Sequence, residues 1–327
     1  MSSTKIERSQ ERAESAPGIR TAQLHGLARR RGRRRGRSRH LRLVRLGFSA
    51  PAAALLAVLS LYPLVVLVQM SVDDVTITNL LRYWPYVGFR NFQDQLTDPT
   101  FRTVAVQTLI LVTAILILTL VLGFLLAMVL RENTRLNRIT QTTMILVWTL
   151  PPIVAGSLWK FLLASDGGLS DLLVRMHVLD HPTAFLSQSS TALAAVTAVT
   201  LWSSAPFAVM VIKSAILDVP RDVIDAARVD GASTRQVVTS VIVPMIRPTL
   251  LILGVLSVVG AFKAFDFIYV MTRGGPGTSS TTIPFLGYLL AFQNYQFGAA
   301  GAVSVLAMLV VLVLAMGYIY AVRREER

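Results

Sequence analysis

The chain has 327 residues, of which 53% are hydrophobic and 15% charged, and its mean hydropathy is +0.57. This apolar fraction excludes an ordinary soluble domain, for which roughly 45–50% is typical, and predicts integration in a membrane. The absence of cysteine excludes a disulfide framework and thiolate metal ligation. No phosphate-binding loop of the form G-x-x-x-x-G-K-[S/T] occurs, so any use of ATP requires a separate ATP-binding chain.

Most of the net charge of +14 belongs to the N-terminal segment. Residues 1–46 hold 14 Lys and Arg side chains against three acids, with the run RRRGRRRGRSRH at residues 29–40. Because few apolar residues accompany these charges, we predict a disordered cytoplasmic tail that sets orientation and meets anionic lipid headgroups. Nucleic-acid binding is the weaker interpretation, and we expect no nucleic-acid partner.

Six apolar runs reach the length of about 20 residues that a helix needs to cross the hydrocarbon core of a membrane. They occupy residues 47–70, 104–130, 139–163, 192–212, 249–271 and 299–322. With the N-terminus in the cytoplasm, the inner segments hold 25 Lys and Arg side chains and the outer loops hold five. The remaining two, Lys160 and Lys263, lie in or near spans. The sequence therefore predicts an all-α membrane protein with six transmembrane helices, in which both termini, including residues 323–327, are cytoplasmic.

One long polar segment, residues 218–248, lies between two apolar runs and carries the signals of folded structure. Pro220 suits the first turn of a helix, and Gly231 suits the left-handed residue that ends one. Ser233 and the glutamine three residues later have the spacing of a capping box, so a second short helix is predicted to begin there. Pro244 is expected to limit the far end of that helix. The charge count places this segment in the cytoplasm.

Two charged residues, Lys263 and Asp266, fall three positions apart inside the fifth predicted span. Each costs about 2.5–3.5 kcal/mol near the bilayer centre, so both are expected to face the bundle or a water-filled path. They form either the wall of a substrate route or a mutually satisfied pair that joins two helices. Phe265 and Tyr269 add aromatic faces that suit sugar binding or simple packing. After them, the glycines and proline of residues 273–277 predict a turn at the outer face.

Catalytic and metal-binding patterns find little support in the sequence. Of the 18 acidic residues, only Asp266 lies within a predicted span, and no Ser/His/Asp set converges. Of the four histidines, His177 and His181 are four positions apart, but Pro182 and a loop-like segment surround them, so a solvated pair is predicted and no metal is expected.

The segment DAARVDG at residues 225–231, followed by VP at residues 243–244, resembles a family signature. That signature, E-A-A-x-x-x-G and then L-P, belongs to permease subunits of binding-protein-dependent ABC importers, and the similarity is strongest to the carbohydrate-uptake group with maltose-type and glycerol-phosphate-type permeases. Aspartate replaces the usual glutamate and valine the usual leucine. Further similarity extends over most of residues 47–322, including WTLPPIVAGSLWKFL and FDFIYVMTRGGPG. The basic tail lies outside it.

The resemblance implies a type I importer permease fold over residues 47–322, in a bacterial inner membrane. It implies a second permease subunit, two copies of an ABC ATPase and an extracytoplasmic binding protein that delivers a sugar or sugar-like solute. The permease is then not itself an enzyme and holds no cofactor, since its partner binds ATP. By this resemblance, the residues that contact the ATPase are Asp225, Ala226, Ala227, Asp230, Gly231, Ala232 and Pro244. The residues expected to line the substrate pathway are Lys263, Phe265, Asp266 and Tyr269.

Two other functions stay open on the residues alone. A secondary transporter driven by an ion gradient needs membrane-embedded carboxylates, for which Asp266 is the single candidate. A membrane-bound enzyme or nucleic-acid tether would use the arginine-rich tail instead.

Overall fold

The computed structural model describes residues 50–132, 134–262 and 264–325. These residues are mostly helical and contain no strand, only the isolated bridges Asp73–Tyr86 and Thr76–Gln296. The predicted tail at residues 1–46 and the candidate pathway residue Lys263 lie outside the described residues. The first eight helices are α1 Ala50–Val72, α2 Arg90–Thr97, α3 Pro99–Val129, α4 Arg135–Trp148, α5 Pro152–Leu162, α6 Gly168–Arg175, α7 Ala192–Leu217 and α8 Arg221–Val229. A continuous helical run follows, formed by Thr234–Gln236, the π-helical Val237–Ile242 and α9 Val243–Phe262. The last helices are α10 Phe265–Met271, α11 Ile283–Tyr288, the π-helical Leu289–Gln293 and α12 Phe297–Glu325.

The chain divides into two units, Met1–Val66 and Leu67–Arg327. In its described residues, the first unit consists of the larger part of α1, whose side chains are exposed or half-buried. The second unit contains all the other helices and the buried core.

Close packing of α3 against α7 forms the centre of the second unit. A Cβ added at Gly123 of α3 would lie 3.1 Å from Cδ1 of Ile212 and 3.3 Å from Cβ of Ala208, both on α7. The missing side chain therefore lets the two helices approach each other. Ala127, Ile212 and Ile216 belong to one buried cluster that continues beyond the end of α7.

The predicted helical character is confirmed, and four apolar helices in the described residues are long enough to cross a membrane. They are Ala50–Val72, Pro99–Val129, Ala192–Leu217 and the helical run Thr234–Met271. The pair formed by α4 and α5 makes a fifth if it is taken as one bent span. The sixth predicted run falls within α12, which is apolar over Phe297–Val313.

The prediction of one uninterrupted helix over residues 139–163 is wrong. The axes of α4 and α5 differ by 103° across the break between Trp148 and Pro152. Pro151 has no amide hydrogen and disfavours a helical conformation at Leu150, so α4 cannot continue through it. Pro152 then begins α5, a position where the missing donor costs nothing.

Replacing Gly123 with valine is expected to destabilise the bundle by about 1–3 kcal/mol, because the added methyl groups overpack the contact with Ala208 and Ile212. The measurement is the free energy of unfolding of the purified chain in mixed detergent micelles. Gly317→Val is the matched control, since no atom lies within 4 Å of a Cβ at that position. Equal unfolding free energies for the two variants would contradict the packing assigned to Gly123.

Candidate functional site

Helix α8 is a short connecting helix, and one of its faces packs against the bundle. Ile224 is buried and packs in the same cluster as Val219 from the preceding turn and Val237 from the following segment. The predicted helix is thus present, although Pro220 is its N-cap rather than a residue of its first turn. Anchoring by Ile224 fixes which face of α8 is left for another protein.

The two alanines of the sequence signature have different environments. Ala227 is half-buried and packs against the core cluster, whereas Ala226 is exposed. Asp222, Asp225 and Val229 also lie on the exposed face, and Val229 is 87% exposed. An exposed valine beside small and acidic residues makes this face suitable for contact with another protein.

Val229 was missed in the sequence analysis, although the signal for it was available. It lies five positions after Ile224, on the other side of a helix with 3.6 residues per turn. The ion pair between Asp225 and Arg228, at 3.8 Å between Oδ1 and Nη1, is exposed and contributes little to stability.

The end of α8 has the geometry that the sequence predicts for Gly231. Its φ is +84°, in the left-handed region that disfavours side chains with a branched Cβ. The amide of Gly231 donates to the carbonyl of Arg228 at 3.0 Å, and the amide of Ala232 donates to that of Ala227 at 2.9 Å. This pair of bonds is a Schellman motif, with Asp230 as the C-cap. No atom lies within 4 Å of a Cβ built at Gly231, so only backbone strain restricts the position.

The predicted capping box at Ser233 is confirmed. The side chain of Ser233 accepts a hydrogen bond from the amide of Gln236, whose Oε1 in turn accepts from the amide of Ser233 at 2.8 Å. Four residues, 230–233, therefore connect the end of α8 to the start of the next helix. Both helix ends are satisfied by local hydrogen bonds.

The expectation that Pro244 ends the second helix is wrong, because the helix continues to Phe262. Pro244 lies in the first turn of α9, directly after the π-helical turn Val237–Ile242. The π-helical turn interrupts the regular α-helical hydrogen-bond pattern just before Pro244, so the run continues past a residue that lacks an amide donor. The second short helix is thus the start of a long one.

The second group of predicted residues lies on α10. Phe265 and Tyr269 stack with ring centroids 6.0 Å apart, and Asp266 is half-buried in the first turn of the helix. A carboxylate there interacts favourably with the helix dipole. Among the described residues Asp266 has no ion-pair partner, and the predicted partner Lys263 lies outside them.

An aromatic cluster forms where α10 meets the segment 283–293. Tyr288 is at its centre, with ring centroids 5.4 Å from Phe265, 5.6 Å from Tyr269 and 5.4 Å from Phe292. Phe285 lies 5.6 Å from Phe265 and is fully buried, whereas Phe292 is 63% exposed. We call these five residues the aromatic cluster. It extends from the buried Phe285 to the exposed Phe292.

Sequence reasoning missed Phe285, Tyr288 and Phe292. Their spacing of three and four residues is a helical signal in the segment IPFLGYLLAFQ, where no element was predicted. Their contact with α10 depends on the turn between the two segments, which the local pattern does not describe.

The turn after α10 brings the two segments of the aromatic cluster together. Gly274 has a φ of +85°, and a Cβ there would lie 2.6 Å from Oγ1 of Thr281 and 2.8 Å from the ring of Phe285. The Thr281 hydroxyl donates to the carbonyl of Gly274 at 3.0 Å, and that of Ser280 donates to Gly275 at 2.9 Å. The predicted turn is therefore present, and buried hydroxyl groups satisfy its carbonyls.

Two tryptophans pack beside the aromatic cluster. Trp159 of α5 meets Trp202 of α7 edge to face, with ring centroids 5.3 Å apart, and both pack against the buried cluster that contains Phe285. The buried Nε1 of Trp159 has no hydrogen-bond partner in the part of the chain that the structure describes.

No group of three metal-binding side chains occurs in the described ranges.

Comparison with known proteins identifies the fold and the family. The model of the family described as "Binding-protein-dependent transport system inner membrane component" matches residues 119–325, more than half of the chain. The chain belongs to this family. The family confirms the prediction of a transport permease of the ABC importer class, in which ATP hydrolysis is carried by a separate subunit, and it supports a multi-pass location in the inner membrane.

Two relatives show how far the similarity extends. The permease is 29% identical over 281 residues to a diacetylchitobiose uptake system permease protein of Streptomyces coelicolor, which covers 84% of this chain and 85% of the relative. It is 28% identical over 237 residues to a trehalose/maltose transport system permease protein of Thermococcus litoralis, with coverage of 72% and 79%.

A solved structure supports the fold independently of sequence identity. The permease superposes on a chain of a bacterial ABC transporter involved in the import of the acidic polysaccharide alginate, with a TM-score of 0.71 and 22% identity. The match covers 85% of this chain and 97% of that chain. At this identity the similarity supports the importer permease fold.

Replacing Ser233 with alanine is expected to weaken the start of the helix that follows α8 by about 1 kcal/mol, because the amide of Gln236 loses its acceptor. Hydrogen exchange of the Gln236 amide should then accelerate about fivefold, the factor that corresponds to about 1 kcal/mol. Ser240→Ala is the control, since the Ser240 side chain makes no hydrogen bond to the described residues. Unchanged exchange in the Ser233 variant would show that the cap contributes nothing.

Proposed function

We propose that the permease forms half of the translocation pathway of an ATP-driven importer for a sugar or sugar-like solute, as one subunit of a permease heterodimer. The observation that carries this proposal is the exposed face of α8, fixed by Ile224 on one side and by the Schellman motif at Gly231. The sugar class is supported by the relatives, whose names specify diacetylchitobiose and trehalose or maltose.

The proposed topology has six crossings with both termini in the cytoplasm. The bent pair α4–α5 and helix α12 supply the two crossings beyond the four long apolar helices. The excess of Lys and Arg in the inner segments, 25 against five, supports this orientation. It puts α8 on the cytoplasmic side and the turn at Gly274 on the outer side. The domain boundaries follow, with a tail at residues 1–46, a permease domain at 47–322 that contains the coupling segment 218–248, and a C-terminus at 323–327.

Coupling is proposed to proceed through docking of α8 on a separate ATPase subunit, with two ATPase copies serving the two permeases. The residues of the permease that are proposed to contact the ATPase are Asp225, Ala226, Ala227, Asp230, Gly231, Ala232 and Pro244. Closure of the ATPases moves α8, and α8 moves the helices that share its buried cluster. The switch between inward-facing and outward-facing states requires that α8 contacts the ATPases differently in the two states. A partner that binds both states equally well does not change the equilibrium between them.

On the outer side, a substrate-binding protein is proposed to deliver the solute to the aromatic cluster. Phe265 and Tyr269 present ring faces, and Asp266 and Lys263 provide polar contacts along the path. Sites of this kind combine apolar walls with a few polar groups that fix the orientation of the ligand.

The class of transporter is tested by uptake in cells that express or lack the chain, using labelled diacetylchitobiose, trehalose and maltose. Uptake that depends on the chain, is blocked by vanadate and survives dissipation of ion gradients at normal ATP levels supports an importer. Uptake that resists vanadate and stops with an ionophore would establish the gradient-driven alternative. Affinity purification of the chain is expected to recover a second permease and an ATPase.

Replacing Gly231 with valine is expected to abolish coupling, because valine strongly disfavours a φ of +84° and α8 would end differently. Uptake and substrate-stimulated ATPase activity should both fall by about tenfold or more, since strain of 1–3 kcal/mol acts on the docked geometry. Gly231→Asn is the matched control, because asparagine tolerates the left-handed conformation. Wild-type uptake and ATPase stimulation by the valine variant, at normal membrane levels, would refute the coupling role.

Replacing Tyr269 with leucine is expected to reduce uptake by about tenfold at low substrate concentration, because a ring face worth about 1.4 kcal/mol is lost from the path. The Michaelis constant for the transported sugar should rise while the basal ATPase rate is unchanged. Tyr83→Leu provides the control, since Tyr83 is exposed and lies outside the aromatic cluster. A Michaelis constant equal to that of the wild type would remove Tyr269 from the pathway.

A further inference from the structure

Three arginines surround the turn between α3 and α4. Arg135 and Arg138 are exposed in the first turn of α4, and Arg131 is half-buried just before it. Within the described residues none of the three forms an ion pair, and the first turn of α4 contains no acid. The three positive charges have only Glu132 as a sequence neighbour of opposite sign. This turn is therefore a basic patch.

The arginines take no part in holding the turn together. Asn137 does this by donating from Nδ2 to the carbonyls of Glu132 at 2.8 Å and Val129 at 3.3 Å, while Gln141 donates to Leu130 at 3.3 Å. Cations in the first turn of a helix also interact unfavourably with the helix dipole. Arg135 and Arg138 thus do not stabilise the turn, and their exposed guanidinium groups are free to bind a ligand outside the chain.

Next to the basic patch, α4 exposes an apolar face. Its packed side contains Met144, which touches the core, and Trp148, which stacks on Phe207 at 5.5 Å. On the opposite side, Ile139 is 57% exposed and Leu146 is 63% exposed. Both share the helix face of Arg135, because positions 135, 139 and 146 repeat at the helical period.

The dimensions of this face match one leaflet of a bilayer. From Arg135 to Leu146 the helix rises by about 16 Å at 1.5 Å per residue. Half of the hydrocarbon core is about 15 Å thick. After Trp148 the chain turns by 103° into α5, so the face ends near the depth at which an acyl chain ends.

We propose that this face binds an anionic phospholipid. Arg135 and Arg138 contact the phosphate and the negatively charged headgroup, with Arg131 at the edge of the site. The acyl chains lie along Ile139 and Leu146. Arginine suits this role because its planar guanidinium donates two parallel hydrogen bonds to phosphate oxygens. The proposal concerns the membrane and does not depend on which solute is transported.

The test is lipid retention by the purified full-length chain, measured by native mass spectrometry after reconstitution in bilayers of phosphatidylglycerol and phosphatidylcholine. High ionic strength during purification screens attraction to the basic residues 1–46. The wild type is expected to retain phosphatidylglycerol at least fivefold over phosphatidylcholine. The double variant Arg135→Gln/Arg138→Gln should lose this preference, while Arg135→Lys/Arg138→Lys should keep most of it because the charge remains.

Arg82→Gln/Arg175→Gln is the matched control, since it removes two exposed arginines that lie elsewhere and should leave retention unchanged. Circular dichroism verifies that each variant is folded. The proposal is overturned if the wild type shows no preference for phosphatidylglycerol or if the glutamine variant keeps it. It is also overturned if soluble glycerol phosphate displaces the bound lipid, which would indicate a phosphate site, or if the glutamine variant loses a copurifying protein and keeps the lipid.

Discussion

A single buried cluster connects the centre of the bundle to the polar segment outside it, and the rest of the structure depends on this continuity. Ala127 of α3 and Ile216 of α7 belong to the same cluster as Ile224 of α8 and Ile246 of α9. Interiors packed at the density of organic crystals transmit displacement instead of absorbing it. A force on α8 therefore reaches α3, α7 and α9 together.

Besides its packing against this cluster, α8 needs fixed ends in order to hold one orientation. The Schellman motif at Gly231 and the capping box at Ser233 supply them through hydrogen bonds between neighbouring residues. The helix is thus held from within the chain and from the core. Its exposed face, with Asp225 and Val229, stays available to another protein.

In the turn after α10, the backbone is not helical, and its buried carbonyl groups would be energetically unfavourable without hydrogen-bond donors. Buried carbonyls require donors, and hydroxyl groups of Ser280 and Thr281 provide them in the turn after α10. This local solution allows the chain to reverse tightly, so that Phe285 and Tyr288 come to lie against Phe265. Aromatic side chains from two segments then pack together, although the segments are distant in the sequence.

The sequence by itself determined the helical class, most apolar runs, the ends of α8 and the turn after α10. Each depends on residues within a few positions of one another, as with Gly231 and its left-handed φ. The proline pair at the start of α5 indicates the bend between α4 and α5. Counting apolar residues over 139–163 does not detect this bend, because prolines do not interrupt an apolar run. Pro244 was misread because a proline signal alone does not reveal the π-helical turn that accommodates it. Only the tertiary structure decided which faces are buried, since Ala226 and Ala227 are identical in type and differ only in what packs against them. It also decided the aromatic cluster and the exposed face of α4, because contacts between distant segments depend on how whole helices pack, and no local pattern records that.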